Sequence, residues 1–264
     1  MSKVWLITGS ARGLGRHVAE AALSAGHRVV ATARKFEQLH ELADRYGDRI
    51  RTVQQDVRDP SAAATAVQTA VDAFGRIDVV VYAARSAEPA VEDFEVDTFR
   101  VPIETNLFGF AYMMQTALPI LRQQGHGHVI QISPAGSRVN FGSFSAHQIS
   151  KRAVERFAVE FARDVAFLGI KVTIVETGRT HNTPLRPHVA AVTEPYNEGG
   201  AAAAQPAHVQ ESQEADDRRR DARVILGITE MAQPPLRLLV GSEASQYATN
   251  PVHALGGFEE NWQN

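Results

Sequence analysis

The sequence predicts an α/β fold: a Rossmann-type, doubly wound parallel sheet in a three-layer α/β/α arrangement. Three observations predict it. The apolar run Val4-Trp5-Leu6-Ile7 leads into the glycine-rich stretch Thr8-Gly9-Ser10-Ala11-Arg12-Gly13-Leu14-Gly15, and Val18, Ala21, Ala22 and Leu23 follow at helical spacing. Short strand-like runs and amphipathic stretches then alternate along the chain. The length of 264 residues suits one large α/β domain with a real core.

The glycine stretch sits between a strand and a helix, where each glycine has a use. Together Gly9, Gly13 and Gly15 permit a tight turn, a close backbone approach to a ligand and close helix–strand packing. The helix that follows offers unpaired N–H groups and a positive dipole end, which suits a pyrophosphate. Dinucleotide binding is the expectation; a plain tight turn is the alternative.

The second strand is expected over 27–33, followed directly by Arg34 and Lys35. Where NAD binds, this strand usually ends in an acid on the ribose 2′-hydroxyl. Here Ala33 and Arg34 stand there instead. A guanidinium at Arg34, with Arg12 as a second clamp, suits a 2′-phosphate and points to NADPH/NADP+. Two solvated surface arginines are the alternative.

An amphipathic helix is expected over 36–46, and a third strand over 50–54, closed by Asp56 and Val57. Asp59-Pro60 opens the next helix, which runs to about Phe74. The run 77–81 is a fourth, β-branched strand. This β-α-β-α-β-α-β order implies parallel pairing with right-handed crossovers. A long helix is expected from Phe99 to about Gln124, carrying Asn106 and ending near Gly125. A strand follows over 129–133, a long helix over 148–168, a strand over 170–175 and a late strand over 236–240.

The stretch from Thr177 to about Gln213 differs, with Pro184, Pro187, Pro195, Gly199-Gly200, an alanine run and Pro206. It follows the carboxyl end of a strand, where ligands of open α/β sheets bind. A substrate lid at about 177–213 within a single domain over 1–264 is the expectation; a surface insertion is the alternative.

Composition narrows the function. Hydrophobic residues make up 44% and charged residues 22%, an ordinary globular balance, and the net charge of −3 offers no field for nucleic acid or an anionic membrane. With no cysteine, disulfides and thiolate metal sites are excluded. His181 near Glu176 lacks a convincing third ligand, so no metal is expected; both residues are candidates to line a substrate pocket. Arg179 could meet an anionic group there or stay at the surface. No signal-peptide pattern and no apolar run of membrane-spanning length occur, so a cytoplasmic location is expected.

Over nearly its whole length the chain resembles the single-domain short-chain dehydrogenases/reductases. The stretches that carry this are TGSARGLG, Arg34, Asp56-Val57, Asn106 in ETNLFGF, Lys151 in SKRAVERFA and PPLRLLVGSEA near the end, which is most similar to members like the 17β-hydroxysteroid dehydrogenases. The resemblance implies a nicotinamide cofactor held by Gly9, Ser10, Arg12, Gly13, Leu14, Gly15, Arg34, Asp56, Val57, Ala83, Ala84, Lys151, Thr177 and Gly178. It also implies a small-molecule substrate and pairing of the two long helices into a homodimer or homotetramer.

The family's chemistry rests on Asn, Ser, Tyr and Lys, the Tyr four positions before the Lys. Here Asn106 and Lys151 match, but His147 stands at the Tyr position and Pro134 at the Ser position. The family's Asn-Asn-Ala-Gly reads Tyr82-Ala83-Ala84-Arg85, and its Pro-Gly reads Thr177-Gly178. Proline has no side-chain donor, so Pro134 cannot hold an oxyanion; Ser133 and Ser137 lie nearby. His147 is either a proton donor or a neutral side chain lining the pocket, since adjacent Lys151 disfavours a second positive charge.

Three functions follow. The first is an NADPH-dependent reductase of an iminium carbon, which carries its positive charge already and needs neither Tyr nor Ser. The second is a ketone or aldehyde reductase in which His147 or the substrate gives the proton. The third is a non-catalytic NADP(H)-binding sensor or scaffold.

Overall fold

The structure is a computed structural model that describes residues 2–84, 96–134, 146–178 and 211–241. Seven parallel strands form one sheet: β1 (Val4–Thr8), β2 (Arg28–Ala33), β3 (Ile50–Gln54), β4 (Val79–Tyr82), β5 (Gly127–Pro134), β6 (Ile170–Thr177) and β7 (Arg237–Val240). Their spatial order is β3-β2-β1-β4-β5-β6-β7. The order reverses between β1 and β4, so the carboxyl ends of these two strands flank a crevice, the usual ligand position in such sheets.

The helices are α1 (Gly13–Ser24), α2 (His40–Tyr46), α3 (Pro60–Phe74), α4 (Val96–Ile103), α5 (Gly109–Gln124), α6 (Ala146–Val165) and α7 (Glu211–Ile228). Strand residues are buried on both faces, and their alternation divides the core in two. On one face Trp5, Ile7, Val29 and Val175 meet Val18, Leu23, Leu42, Ala222 and Ile225 of α1, α2 and α7. On the other, Leu6, Val30, Val80 and Val129 meet Ala66, Phe110, Met113 and Val154 of α3, α5 and α6.

Most expected elements stand within two residues of their predicted ends. Asp59 caps α3, its carboxylate accepting from Ser61 N at 2.8 Å, with Pro60 in the first turn. Three differences have physical causes. The stretch 36–46 is a 3₁₀ turn, Phe36–Leu39, running into the short α2.

The long helix carrying Asn106 begins at Val96 and is interrupted at Glu104–Phe108 by a wide π-helical turn between α4 and α5. Pro102 lies just upstream and supplies no N–H, which loosens the ladder there. Helix α7 is absent from the sequence-based expectations because its first half is charged throughout. Only Ala222, Ile225, Leu226 and Ile228 betray an apolar face, late in the segment. The lid expectation falls on residues 179–210, outside the described residues, and α7 already begins at Glu211, inside the stretch assigned to the lid.

Candidate active site

At the crevice, Thr8 at the end of β1 accepts from the backbone N–H groups of Ala83 and Ala84 at 3.1 and 3.3 Å, which ties the glycine loop to the end of β4. A side chain at Gly15 would bring its Cβ to 2.5 Å from the Gly9 carbonyl oxygen, so helix and loop meet only through glycine. Gly13 has φ +63° and nothing within 4 Å of where a Cβ would stand, leaving a cradle open above the start of α1.

Arg12 is the N-cap of α1, exposed, and its side chain makes no capping bond, so the first-turn N–H groups remain available to an anion. Leu14 packs, half-buried, against the α1-side core. Ser10 holds the loop: its hydroxyl donates to the Ile7 carbonyl at 2.8 Å and its N–H to the Thr32 carbonyl at 2.9 Å.

Arg34 is exposed just past β2, its carbonyl accepting from Gln54 Nε2 at 3.2 Å. Asp56, half-buried beyond β3, is gripped by Arg58, with Nη2 to Oδ2 at 2.5 Å and Nε to Oδ1 at 3.0 Å. That grip holds the Asp56 carboxyl below its usual range, with Arg34 adding a smaller pull. Val57 beside it is buried. Arg58 escaped the sequence reading; its signal was a cation two residues after the acid. An open cradle, an uncapped helix start and Arg12, Arg34 and Arg58 around it fit a dinucleotide that carries a phosphate on its adenosine ribose.

The other half of the site lies on the α6 side. Asn106 sits, fully buried, in the π-helical turn, a feature common at functional sites. Its Nδ2 donates to Ser150 Oγ at 2.8 Å, and Ser150 donates to the His147 carbonyl at 2.7 Å. Asn106 Oδ1 has no hydrogen-bond partner among the described residues, so a buried acceptor is left for water or ligand. The buried Tyr82 hydroxyl donates to the Thr105 carbonyl, one residue before Asn106. Lys151, buried on α6, donates from Nζ to the Ile132 carbonyl at 3.2 Å. His147 is half-buried one turn earlier on the same helix. Ser150 thus links Asn106 on the π-helical turn to the His147 carbonyl on α6, and Lys151 is the next residue along that helix.

Two candidates are corrected. Ser133 is no oxyanion donor, because its hydroxyl donates to the buried Glu155 carboxylate. Glu176 does not line a pocket: it is fully buried on the α6 side, with Arg237 Nη1 at 2.7 Å from its Oε1. Alternation along β6 turns Glu176 to the face of Ile174, which belongs to the α6-side core. Thr177 is buried, and Gly178 N donates to the Val240 carbonyl at 3.0 Å. Pro134 ends β5 opposite Thr177. Arg85, Ser137, Arg179 and His181 lie outside the described residues. Among the described residues no group of three His, Asp or Glu gathers as a metal site, and no helix is long and apolar enough to cross a membrane.

A seven-stranded parallel sheet with this strand order, a glycine loop at its switch point and a lysine on the helix after β5 define a nicotinamide-type Rossmann protein. The chain belongs to the short chain dehydrogenase family, whose model matches residues 3–193. It is 42% identical to Oxidoreductase BOA17 of Botryotinia fuckeliana (strain B05.10), over all of this chain and 97% of that one. It is 30% identical to the NADP-dependent 3-hydroxy acid dehydrogenase YdfG of Escherichia coli (strain K12), over 67% of this chain and 73% of that one. Among solved structures, a short-chain dehydrogenase from Streptomyces avermitilis superposes with a TM-score of 0.84 at 31% identity, covering 99% of this chain and 97% of that one.

Proposed function

We propose that this chain is an NADP(H)-dependent reductase that delivers hydride to an iminium or hemiaminal-derived carbon of a small organic molecule. One observation carries the substrate class. Where the family's serine would donate to a developing alkoxide this chain has Pro134, and the neighbouring Ser133 hydroxyl is committed to Glu155. The parts that place a cofactor are kept: the Gly13 cradle, the uncapped start of α1, the Asn106–Ser150 hydrogen bond, and buried Lys151 on the Ile132 carbonyl. The cofactor preference is supported by Arg12, Arg34 and Arg58, by the lack of an acid at the end of β2, and by the NADP dependence stated in the name of the E. coli relative.

When bound, the reduced nicotinamide supplies the hydride, that is, the two electrons of the new C–H bond. Gly9 to Gly15 and the N–H groups of α1 would hold the pyrophosphate, Arg34 and Arg12 the 2′-phosphate, and Asp56, Val57, Ala83 and Ala84 the adenosine side. Lys151, Thr177 and Gly178 would place the nicotinamide end. A hemiaminal first takes a proton from solvent onto its hydroxyl and loses it as water to give the iminium cation. Hydride addition then yields a neutral amine, and no proton is needed at the reacting atom. Catalysis is then mainly positioning, with Asn106 holding Ser150 and the first turn of α6 in place.

The second reading, a ketone or aldehyde reductase, draws on His147, one helical turn before Lys151. The decisive measurement is kcat/KM for wild type and His147→Phe on matched ketone and cyclic iminium substrates with NADPH. Iminium substrates are expected to win in the wild type, and His147→Phe to keep most of that rate. If ketones win and His147→Phe abolishes the rate, His147 is the general acid. If bound NADPH is never oxidised by any acceptor, the chain is a sensor or scaffold. We further propose a homodimer or homotetramer formed through α5 and α6, where exposed Phe108, stacked on Tyr112, and Ile149 face outward, and a cytoplasmic location.

A further inference from the structure

Arg12 and Arg34, the two arginines assigned to the 2′-phosphate, stand on separate elements. Arg12 is the N-cap of α1, and Arg34 follows β2 directly. A phosphate gripped from two elements needs them held at a fixed separation, since about 1 Å of slack already spoils a binding site.

Arg16 spans that gap. It lies in the first turns of α1, four residues after Arg12, and its guanidinium is fastened on three elements. Nε donates to Glu20 Oε1 at 2.7 Å on α1 itself, Nη1 to the Gln38 carbonyl at 3.3 Å on the 3₁₀ turn, and Nη2 to Glu41 Oε2 at 2.8 Å at the start of α2. Glu20 orients the arginine, and the other two contacts draw the 3₁₀ turn against α1. That turn opens two residues after Arg34, with Lys35 as its N-cap and Gln38 N donating to the Lys35 carbonyl at 3.3 Å. On the other side, the Arg34 carbonyl accepts from Gln54 Nε2 at 3.2 Å. The segment bearing Arg34 is thus pinned to β3 at Arg34 itself and to α1 four residues later.

The fold has other ties between these elements. Farther along α1, Ser24 shares a hydrogen bond with the Tyr46 hydroxyl at 2.9 Å, and the Leu23 carbonyl accepts from Arg49 Nη1 at 2.7 Å. Arg16 is half-buried and Glu41 exposed, so their ion pair adds little to global stability. What it adds is local: a fixed distance between the start of α1 and the segment after β2.

We propose that Arg16 is a positioning residue for cofactor choice. It holds the turn after Arg34 against the start of α1, so that Arg34 and Arg12 converge on one 2′-phosphate. This rests on the NADP(H) reading above, and the test separates the two.

Dissociation constants for NADPH and NADH are measured by calorimetric titration for wild type, Arg16→Gln, Arg16→Lys and Glu41→Gln, with urea midpoints to show that each protein is folded. Wild type that binds neither cofactor, or both equally, overturns the functional reading and the proposal with it. Given a preference, Arg16→Gln is expected to weaken NADPH binding about three- to tenfold and NADH binding less than about twofold. Arg16→Lys keeps the charge but not the fork that reaches three acceptors, and is expected to fall between. Glu41→Gln separates positioning from bare charge. Removing an acid near a phosphate strengthens NADPH binding if only the field matters, whereas positioning predicts a loss of about two- to fivefold. Wild-type or tighter NADPH binding in Glu41→Gln overturns the proposal. So do equal losses for NADPH and NADH in Arg16→Gln, which would mean that the whole cradle has shifted. If Arg16→Gln does not fold, Glu41→Gln, changed at an exposed residue, decides alone.

Discussion

Arg34 is the residue on which cofactor choice turns. It is exposed, acts with Arg58 on the Asp56 carboxylate, and has no acid at the strand end to answer a free ribose hydroxyl. Arg34→Ala is expected to cost about 1–3 kcal/mol of NADPH binding, the scale of a charge-assisted contact, and to leave NADH binding nearly unchanged. Calorimetric titration with both cofactors measures the difference; equal affinities in the parent protein would remove the basis for the assignment. At this scale the sequence was informative wherever a residue acts through its type. Glycines without side chains, an arginine in place of an acid and a proline in place of a donor are legible from letters alone. It was uninformative wherever a role depends on direction. Ser133 and Glu176 stand at positions that look available to a substrate, and only the alternation of β5 and β6 turns them toward Glu155 and Arg237.

The π-helical turn between α4 and α5 is the element that sets Asn106. It leaves the Thr105 carbonyl to accept from the Tyr82 hydroxyl, and Gly109, opening α5, lies where any side chain would strike that hydroxyl and Val57. Tyr82→Phe orphans a buried carbonyl and is expected to cost about 1–3 kcal/mol of stability in urea unfolding. Gly109→Ala is expected to destabilise by a similar amount through overpacking, about 1–3 kcal/mol. Because both changes act on the same hydroxyl, the double variant is expected to be less destabilised than the two losses added together. Strict additivity would show that Tyr82 and Gly109 do not share this contact. The periodicity that predicted one helix through Asn106 could not show the turn, since five residues of wider winding barely disturb an apolar stripe. Helix α7 was hidden for a different reason: its charged first half carries no periodic apolar signal, and it is stabilised by tertiary packing of its second half on α1.

Across the whole molecule, two buried titrating groups tilt stability with pH in opposite senses. His128 on β5 donates from Nε2 to Thr173, whose own hydroxyl donates to Pro235, and Nδ1 has no partner among the described residues. Burial lowers its pKa to about 4 from its ordinary 6.5. The unfolded chain therefore takes up a proton below pH 6.5 while the folded protein stays neutral. The His128 contribution is present above 6.5 and falls by roughly 3 kcal/mol as pH drops toward 4. Asp221 on α7 is raised by burial to about 6 from its ordinary 3.8. The folded protein keeps this proton where the unfolded chain has lost it, so stability from Asp221 is present below 3.8 and is lost as pH rises through 6. Wild type is thus expected to change little between pH 4 and 6.5. His128→Gln should grow more stable toward acid and Asp221→Asn less so, each relative to its own value at pH 7. Urea midpoints across this range check both slopes, and parallel curves for all three proteins would contradict them. The parallel sheet covered by helices was legible in the sequence because short apolar runs alternate with helical stretches; the burial of His128 on β5 and Asp221 on α7 was not.

The pairing of Glu176 with Arg237 also dictates a timetable. The two residues are 61 positions apart. At about 5–20 residues per second, a ribosome needs roughly 3–12 s to travel from one to the other. Throughout that interval the nascent chain holds Glu176 without Arg237, its ion-pair partner at 2.7 Å. Burial of Glu176 in this pair, and the packing of α6 over it, is therefore expected to wait for β7 to emerge. Stalled nascent chains ending before Arg237 should leave α6 open to protease, and chains extended far enough to free β7 from the exit tunnel should protect it. Among the described residues, the last strand made is the one that neutralises the buried Glu176.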